Sequence, residues 1–120
     1  MSGIVGIHCL KRQRVADGHQ HPMIAALAHR GPDGTGIWCD ASVGLGHLML
    51  HTTPESLVEK LPLTKGSLTI TADARIDNRE ALIEAIALPE TQTTLTDSDL
   101  ILAAYEKWGE RCPEKLLGAF

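Results

Sequence analysis

The residue best suited to chemistry in this chain is Ser2, which directly follows Met1. If Met1 is removed, Ser2 becomes the chain terminus, and its α-amine then lies beside its own hydroxyl. A terminal amine can act as the base that activates such a hydroxyl as a nucleophile. A second segment, His-Arg-Gly-Pro-Asp-Gly at residues 29–34, is predicted to be a loop because of its Gly and Pro residues. These features predict an N-terminal nucleophile, provided that the rest of such a site is intact.

Several short strands and helices are predicted to position these groups. The first strand, residues 2–9, is rich in Gly and β-branched side chains, which indicates burial on both faces or nearly so. Alternating patterns predict further strands at residues 35–39, 43–50 and 67–72. Apolar residues at helical spacing predict helices at residues 22–28, after Asp77, at 97–108 and, briefly, from Pro113. Residues 51–66, with two prolines, are expected to form a long connection.

Two of the predicted helices begin with the spacing of a capping box, in which side chains three residues apart hydrogen-bond the first turn. Asp77 and Glu80 have this spacing before one helix. Thr96 and Asp99 have it before the other, and Gly109 is placed to end that helix.

Length and composition indicate a single folded domain. The chain has 120 residues, of which 43% are hydrophobic, so it is long enough for one core. Its net charge of −4 and the lack of a basic stripe argue against nucleic acid as a partner, and the basic run at residues 11–14 is too short to change this. No stretch approaches the ~20 apolar residues of a membrane span, and no signal peptide is recognisable.

The cysteines and histidines form no recognisable disulfide or metal motif. Three Cys residues, an odd number at wide spacing, argue against a disulfide framework and for reduced thiols. The His-Gln-His at residues 19–21 lacks a second paired motif. We therefore expect no metal and a cytoplasmic protein.

Five motifs follow one another along the chain: Ser-Gly-Ile-Val-Gly at 2–6, the loop sequence at 29–34, Gly-Leu-Gly-His at 44–47, Ala-Asp-Ala-Arg-Ile-Asp-Asn-Arg at 72–79 and Thr-Asp-Ser-Asp-Leu-Ile-Leu at 96–102. Together they resemble class II glutamine amidotransferase domains. Such domains form the N-terminal part of asparagine synthetases and of their β-lactam synthetase and lasso-peptide cyclase relatives. The resemblance covers residues 2–120.

The resemblance implies an α+β fold of the N-terminal nucleophile hydrolase type, an αββα sandwich with antiparallel sheets between layers of helices. Such a domain usually has roughly 180–200 residues. Residues 1–120 are therefore expected to be a domain that is incomplete at its C-terminus, about its first two-thirds. Missing strands would leave sheet edges and apolar faces open, which favours a homodimer through those edges.

The sequence departs at three places from the glutaminase site that the resemblance implies. The family nucleophile is Cys, and Ser2 takes its place with a less nucleophilic hydroxyl. The family Arg that holds the glutamine α-carboxylate is replaced by Met49, which has no hydrogen-bond donor. The Asn-Gly pair of the oxyanion hole is replaced by Asp73 and Ala74, and an ionised Asp repels an oxyanion.

Other positions keep the residues that the resemblance implies. Asp97 matches the family Asp that binds the substrate α-amine. Arg30, Gly31 and Pro32 match the family loop beside the nucleophile.

Several of these positions also have a structural interpretation. Met49 fits a core strand residue, and Asp73 fits a solvated loop residue or a partner of Arg75. A carboxylate at residue 97, in the first turn of a predicted helix, is favoured by the helix dipole without any substrate.

The sequence leaves three interpretations of function open. The first is a degenerate glutaminase-like scaffold domain of an ATP-dependent, amide-forming enzyme of the asparagine synthetase type. It predicts no glutamine binding, no cofactor in this segment, and a C-terminal synthetase domain that binds ATP and Mg. The second is an active glutamine amidohydrolase with Ser2 as nucleophile, which predicts removal of Met1 and release of ammonia. The third is a stand-alone interaction module that binds a partner along an open sheet edge.

Overall fold

The largest sheet consists of three antiparallel strands in the order β1-β3-β2, where β1 is Gly3–His8, β2 is Gly34–Asp40 and β3 is Val43–Met49. The predicted strands at these positions are confirmed to within one residue at each end. β3 is the central strand and pairs with β1 so that Gly3 lies opposite Leu48. This register brings the segment before β1 next to the end of β3.

The structure is a computed structural model that describes residues 1–10, 13–16, 18–88 and 94–120. The basic run at residues 11–14 lies partly outside the described residues, because Lys11 and Arg12 are not among them. Within the described ranges, no helix has both the length and the apolar character needed to cross a membrane.

Only one face of β1 is covered by described residues. Val5 is buried, and its side chain shares the space over Gly46 with Ile24 of helix α1 (His21–Ala26). Ile4 points to the opposite face and is 49% exposed. The prediction that this strand is buried on both faces is therefore wrong, because α1 packs on one side of the sheet only.

The described residues also contain α2, which is Arg79–Ile86, and α3, which is Asp97–Trp108. Short 3₁₀ segments lie at Ala28–Arg30, Glu55–Leu57 and Gly109–Lys115. The predicted helix at 97–108 is confirmed at both ends. The first predicted helix ends early, since α1 stops at Ala26, and the segment from Pro113 is 3₁₀ rather than α-helical.

An apolar cluster holds α2, α3 and the last 3₁₀ segment together. Its buried members are Ile76, Leu82, Leu100, Ala104, Cys112 and Leu116. Leu100 and Ala104 lie one turn apart on the same face of α3, and both are fully buried. The cluster therefore fixes where the N-terminus of α3 lies.

The two predicted capping boxes have different outcomes. At α3, the Thr96 hydroxyl accepts a hydrogen bond from the Asp99 N–H, and the Asp99 carboxylate accepts one from the Thr96 N–H, so this box is confirmed. At α2, the box that was expected to begin at Asp77 is wrong. The N-cap residue is Asn78, and Asp77 is bound by Arg75 instead, which offers a charged two-point partner.

The long connection predicted at residues 51–66 contains more regular structure than expected. It includes a 3₁₀ turn and β4 (Leu63–Lys65), which pairs with β5 (Leu68–Ile70) around a turn at Gly66. A second short pair joins β6 (Arg75–Ile76) to β7 (Gly118–Ala119). The strand predicted at residues 67–72 is confirmed at its centre as β5, whereas β4, β6 and β7 have only two or three residues, too few for a period-two pattern to be visible in the sequence.

All strand pairs among the described residues are antiparallel. Together with the helices they form a mixed α+β structure. The expected α+β class with antiparallel sheets is therefore confirmed.

Candidate functional site

Ser2 lies just before β1 and is buried, with 8% of its surface exposed. Its hydroxyl accepts a hydrogen bond from the Leu50 N–H at 3.0 Å and donates to the Met49 Sδ at 4.0 Å. Gly3 pairs with Leu48 in an antiparallel register, so the residue before Gly3, which is Ser2, lies beside the residue after Leu48, which is Met49. The hydroxyl is held between the ends of β1 and β3, and neither of these two partners is a base that removes its proton.

A small cavity of about 20 Å³ lies next to Ser2. Four of the residues singled out in the sequence line it: Ser2, Met49, Asp73 and Ala74. His47 and Glu59, which the sequence did not mark as site residues, also line it. A space of this size holds a single water molecule. A glutamine molecule does not fit into it.

The loop predicted beside the nucleophile is fixed against the end of β3. A Cβ on Gly31 would lie 2.2 Å from the Leu48 carbonyl carbon, so only glycine permits this close approach. Asp33 donates its N–H to the Met49 carbonyl at 3.0 Å, and its carboxylate accepts the His51 N–H at 2.8 Å. These contacts hold the loop next to the segment that binds the Ser2 hydroxyl.

Arg30 and Pro32 flank this glycine, and neither lines the small cavity. Arg30 lines a second cavity of about 640 Å³, to which Ser2 and Asp73 also contribute. Pro32 is exposed. The larger cavity has mostly apolar walls, and the exposed side chain of Ile4 is one of them.

Asp97 is the first residue of α3 and does not line the small cavity. It is 6% exposed, and its carboxylate forms an ion pair with the Arg79 guanidinium, which also donates to the Leu95 carbonyl. Burial raises the pKa of the Asp97 carboxyl above its usual value, and the charge of Arg79 opposes this rise. The carboxylate thus has a cationic partner within the protein. Arg79 could not be recognised as this partner from the sequence, because no local pattern links residues 18 positions apart.

Asp73 faces the small cavity and does not pair with Arg75. The Arg75 guanidinium donates hydrogen bonds of 2.8 and 3.2 Å to Asp77, so the alternative of an Asp73–Arg75 pair is wrong. Residues 75 and 77 lie on one face of an extended segment, and residue 73 precedes β6 and lines the small cavity together with Ser2.

His47, the last residue of the Gly-Leu-Gly-His motif, is a buried polar group in β3. It is 2% exposed, and its Nδ1 lies 3.0 Å from the Thr71 Oγ1. The Thr71 hydroxyl also lies 3.5 Å from the Gly46 carbonyl, and which of His47 and Thr71 donates to the other depends on the tautomer of the ring. No hydrogen-bond partner for the His47 Nε2 lies among the described residues.

The protonation state of His47 follows from its surroundings. Burial lowers its pKa below the ordinary value of 6.5, and the carboxylates of Glu59 and Asp73 oppose this shift. Because burial is the largest of these effects, the imidazole is neutral near pH 7. A neutral ring has one nitrogen that donates and one that accepts a hydrogen bond.

Glu59 connects the small cavity to α3. Its carboxylate accepts a hydrogen bond from the Ser98 N–H at 3.0 Å. This amide is one of the unpaired donors at a helix N-terminus, where a negative charge is also favoured by the helix dipole. The contact fixes the Glu59 carboxylate to the start of α3, and the residue also lines the small cavity.

The side chains around the small cavity suit a hydrogen-bond donor better than a carboxylate ligand. Met49 offers no donor, and an ionised Asp73 only accepts hydrogen bonds. While Met1 is attached, the Ser2 nitrogen is a peptide nitrogen and cannot take up a proton. In the described part of the chain, no three His, Cys, Asp or Glu side chains are grouped so that they could hold a metal ion.

The fold and the site define a mixed α+β domain built around a buried hydroxyl near its N-terminus. Residues 1–120 match the family described as glutamine amidotransferase domain. The chain belongs to this family and is a class II glutamine amidotransferase domain, as the motifs indicated.

Three relatives are asparagine synthetases described as glutamine-hydrolyzing. The chain is 30% identical to the enzyme of Zea mays and to enzyme 2 of Oryza sativa subsp. japonica, each over 98% of this chain and 19% of the relative. It is 30% identical to enzyme 3 of Bacillus subtilis (strain 168), over 100% of this chain and 20% of the relative. The chain thus spans about a fifth of the length of the curated relatives it matches.

Proposed function

We propose that this chain is a glutaminase-like scaffold domain that does not hydrolyse glutamine and that belongs to an ATP-dependent, amide-forming enzyme of the asparagine synthetase type. The observation that carries the proposal is that Met49 and Asp73 line the small cavity beside Ser2, where neither a Met side chain nor a carboxylate supplies a hydrogen-bond donor. Met49 is at the position where the resemblance implies an Arg that holds the glutamine α-carboxylate. Asp73 is at the position where it implies a hydrogen-bond donor to the oxyanion. Loss of a single oxyanion donor typically lowers the rate by about 10²–10³.

The ion pair of Asp97 with Arg79 supports the same proposal. A substrate ammonium group would have to displace a guanidinium that also binds the Leu95 carbonyl. The Asp97 side chain is buried, and the charge of its carboxylate is already balanced by Arg79. The residue therefore contributes more to the position of α3 than to glutamine binding.

We further infer that the complete domain is an αββα sandwich of the N-terminal nucleophile hydrolase type. The one-sided burial of β1 supports this, because a second sheet would cover the face on which Ile4 is 49% exposed. The apolar walls of the larger cavity lie on this face and suit the same cover.

The proposed partner is a C-terminal synthetase domain, which would bind ATP and Mg. The relatives support this, because the chain spans about a fifth of each of them. An enzyme that takes its amine from its own substrate, as β-lactam synthetases and lasso-peptide cyclases do, needs no ammonia from glutamine. We place this enzyme in the cytoplasm, where its three free cysteines stay reduced.

The test is an assay of ammonia release from glutamine, with purified protein whose N-terminal mass has been measured. We expect the wild-type chain without Met1 to release no more ammonia than the Ser2→Ala variant. A rate that Ser2→Ala abolishes would overturn the proposal and establish the alternative of a glutaminase with Ser2 as nucleophile.

A restored variant serves as the positive control for this assay. It combines Ser2→Cys, Met49→Arg, Asp73→Asn and Ala74→Gly, which returns each departing position to the residue that the resemblance implies. Ammonia release by this variant would show that the fold supports the reaction and that the natural side chains prevent it.

A stand-alone interaction module is a second candidate, favoured by the exposed apolar side chains at the larger cavity. Ile4 is 49% and Phe120 is 62% exposed, and both line it. Contiguous apolar surface of this kind marks contact sites. Light scattering over a range of concentrations tests it: a stable dimer supports the module, and a monomer at all concentrations excludes self-association.

A further inference from the structure

A cleft of about 410 Å³ lies between β2 and the segment from Leu57 to Leu61. Residues 34–36 of β2 form part of one wall, and Ser2 does not line the cleft. Its volume is in the range of sites that bind small molecules. This space, which we call the β2 cleft, is therefore distinct from the larger apolar cavity and extends beyond the small one.

Two carboxylates in the wall of the β2 cleft have no cationic partner. Asp33 and Glu59 line the cleft, and neither forms an ion pair within the ranges that the structure describes. One oxygen of Asp33 accepts the His51 N–H at 2.8 Å, and one oxygen of Glu59 accepts the Ser98 N–H at 3.0 Å. These contacts fix both side chains and leave the other oxygen of each for a ligand. The cleft therefore favours a positively charged ligand.

A buried ring nitrogen of His51 points independently to a ligand in the same cleft. His51 lines the β2 cleft and neither of the two cavities that Ser2 lines. Its Nδ1 is buried, and no hydrogen-bond partner for this atom lies among the described residues. An unpaired buried polar atom is costly, and a ligand that hydrogen-bonds to it removes that cost.

His47 adds a second such nitrogen, its Nε2. The Nδ1 of this ring contacts the Thr71 hydroxyl, and Thr71 lines the larger cavity together with Ile4 of β1. The two nitrogens of an imidazole point in diverging directions, so the Nε2 is directed away from Thr71 and toward β2, where Gly36 pairs with His47 and lines the cleft. Because a hydroxyl can donate as well as accept, the Nε2 is free to accept a hydrogen bond from a ligand.

We propose that the β2 cleft binds a linear alkyl diamine. One ammonium group binds the Asp33 carboxylate and the other binds the Glu59 carboxylate, and their remaining N–H groups donate to the two ring nitrogens. The methylene chain between the ammonium groups packs on Met49 and Leu61, which are 8% and 7% exposed and line the cleft.

Other classes of ligand fit the β2 cleft less well. A metal ion needs several ligands around one point, and in the described part of the chain no three His, Cys, Asp or Glu side chains are grouped in this way. Acceptors that are spread along a cleft suit a ligand with donors at both ends. An anion would meet two carboxylates and only one ammonium group, that of Lys60. A monoamine would leave one carboxylate without a partner.

The inference goes beyond the proposed function, because it requires no reaction at Ser2. Ammonia release that depends on Ser2 would overturn the proposed function and leave the diamine site unaffected. Failure of the chain to bind a diamine would overturn the site and leave the proposed function unaffected.

The test is a calorimetric titration of the purified full chain with putrescine and with cadaverine, with n-butylamine and magnesium chloride as controls at constant ionic strength. We expect saturable binding of at least one diamine, about tenfold tighter than that of butylamine, because only a diamine forms hydrogen bonds to both carboxylates. Equal affinities for the diamines and butylamine would overturn the proposal. An equal response to magnesium would also overturn it, since the effect would then be one of charge alone.

Nuclear magnetic resonance of the imidazole nitrogens locates the bound diamine. We expect the chemical shifts of the His51 Nδ1 and the His47 Nε2 to change during the titration. The exposed rings of His8 and His21 do not line the cleft and are the internal controls. Saturable binding without a change at His51 or His47 would place the diamine elsewhere and overturn the assignment.

Charge variants test the proposal with both signs. Asp33→Asn and Glu59→Gln each remove one negative charge and keep an oxygen for the backbone N–H. We expect diamine binding to weaken about threefold for the exposed Asp33 and about tenfold for the half-buried Glu59. Lys60→Gln removes the positive charge from the wall and is expected to strengthen binding.

The matched control is Asp40→Asn, which makes the same charge change at an exposed position at the end of β2 outside the cleft. Far-ultraviolet circular dichroism confirms that the variants fold. If Asp33→Asn and Glu59→Gln bind the diamine as tightly as Asp40→Asn does, the proposal is wrong.

Discussion

His47 combines deep burial with a titrating side chain, and this makes the stability of the protein depend on pH. Burial lowers the pKa of His47 in the folded state below 6.5, while the unfolded chain keeps the ordinary value. Below that value, the unfolded state therefore binds more protons than the folded state. The free energy of unfolding therefore decreases as the pH falls from 6.5 to the pKa of His47 in the folded state. Below that pKa, the decrease is complete.

We expect the His47→Gln variant to have a flatter stability profile than the wild type between about pH 5 and pH 7.5. One titrating group contributes a slope of at most about 1.4 kcal/mol per pH unit. Urea unfolding at a series of pH values measures the free energy of unfolding. His8→Gln, which removes an exposed imidazole at the end of β1, is the matched control. If both variants flatten the profile equally, burial of His47 is not the cause.

The sequence predicted which residues cluster around Ser2 better than it predicted their partners. Met49, Asp73 and Ala74 were singled out by motif position, and the structure places them around one cavity with Ser2. His47 and Glu59 in the same wall gave no sequence signal as site residues. Their contacts join residues 24 and 39 positions apart, and only the tertiary fold decides such contacts.

At the scale of elements, the start of α2 and the start of α3 are joined by the ion pair of Arg79 with Asp97. The Asp97 side chain is 8% exposed and that of Arg79 is 25% exposed. Removal of one partner from a buried pair leaves an uncompensated charge, which costs about 3–5 kcal/mol when burial is complete. The two helix starts therefore depend on each other.

We expect Arg79→Met to destabilise the protein by about 2–3 kcal/mol, somewhat less than for a fully buried pair because Arg79 is partly exposed. Urea unfolding measures the change. Arg75→Met, which breaks the exposed pair of Arg75 with Asp77, is the matched control and is expected to change stability little. If Arg79→Met leaves the free energy of unfolding unchanged, Asp97 does not need this partner and is available to a ligand.

Long elements were predictable from the sequence, whereas the short strands β4, β6 and β7 were not. α3 combines a capping box, a periodic apolar face and a terminal glycine, which all indicate the same limits. The box expected at Asp77 failed because Arg75, two residues earlier, competes for the carboxylate. β4 has three residues, so its pairing with β5 arises from the turn at Gly66 and not from a sequence pattern.

At the scale of the whole molecule, the two faces of the three-stranded sheet differ in their surroundings. Ile4 pairs with His47 and Ile37 pairs with Gly46, so the two isoleucines point to opposite faces. They are 49% and 45% exposed, respectively. Of these two residues, only Ile4 borders the larger apolar cavity.

We expect Ile4→Lys to reduce self-association of the isolated chain and Ile37→Lys to affect it much less, because a charge in an apolar contact surface must be desolvated. Light scattering at increasing protein concentration measures the association. An equal effect of the two substitutions would show that association does not use the face of the larger cavity. Neither substitution is at a position that lines the small cavity.

The two tryptophans of the chain lie in different parts of the fold. Trp38 is half-buried in β2 opposite Leu45, and Trp108 packs at the end of α3 against the apolar cluster. Their fluorescence therefore reports separately on the sheet and on the helices. If Trp38→Phe and Trp108→Phe chains give the same unfolding curve, the sheet that carries His47 and the helix that carries Asp97 unfold as a single cooperative unit.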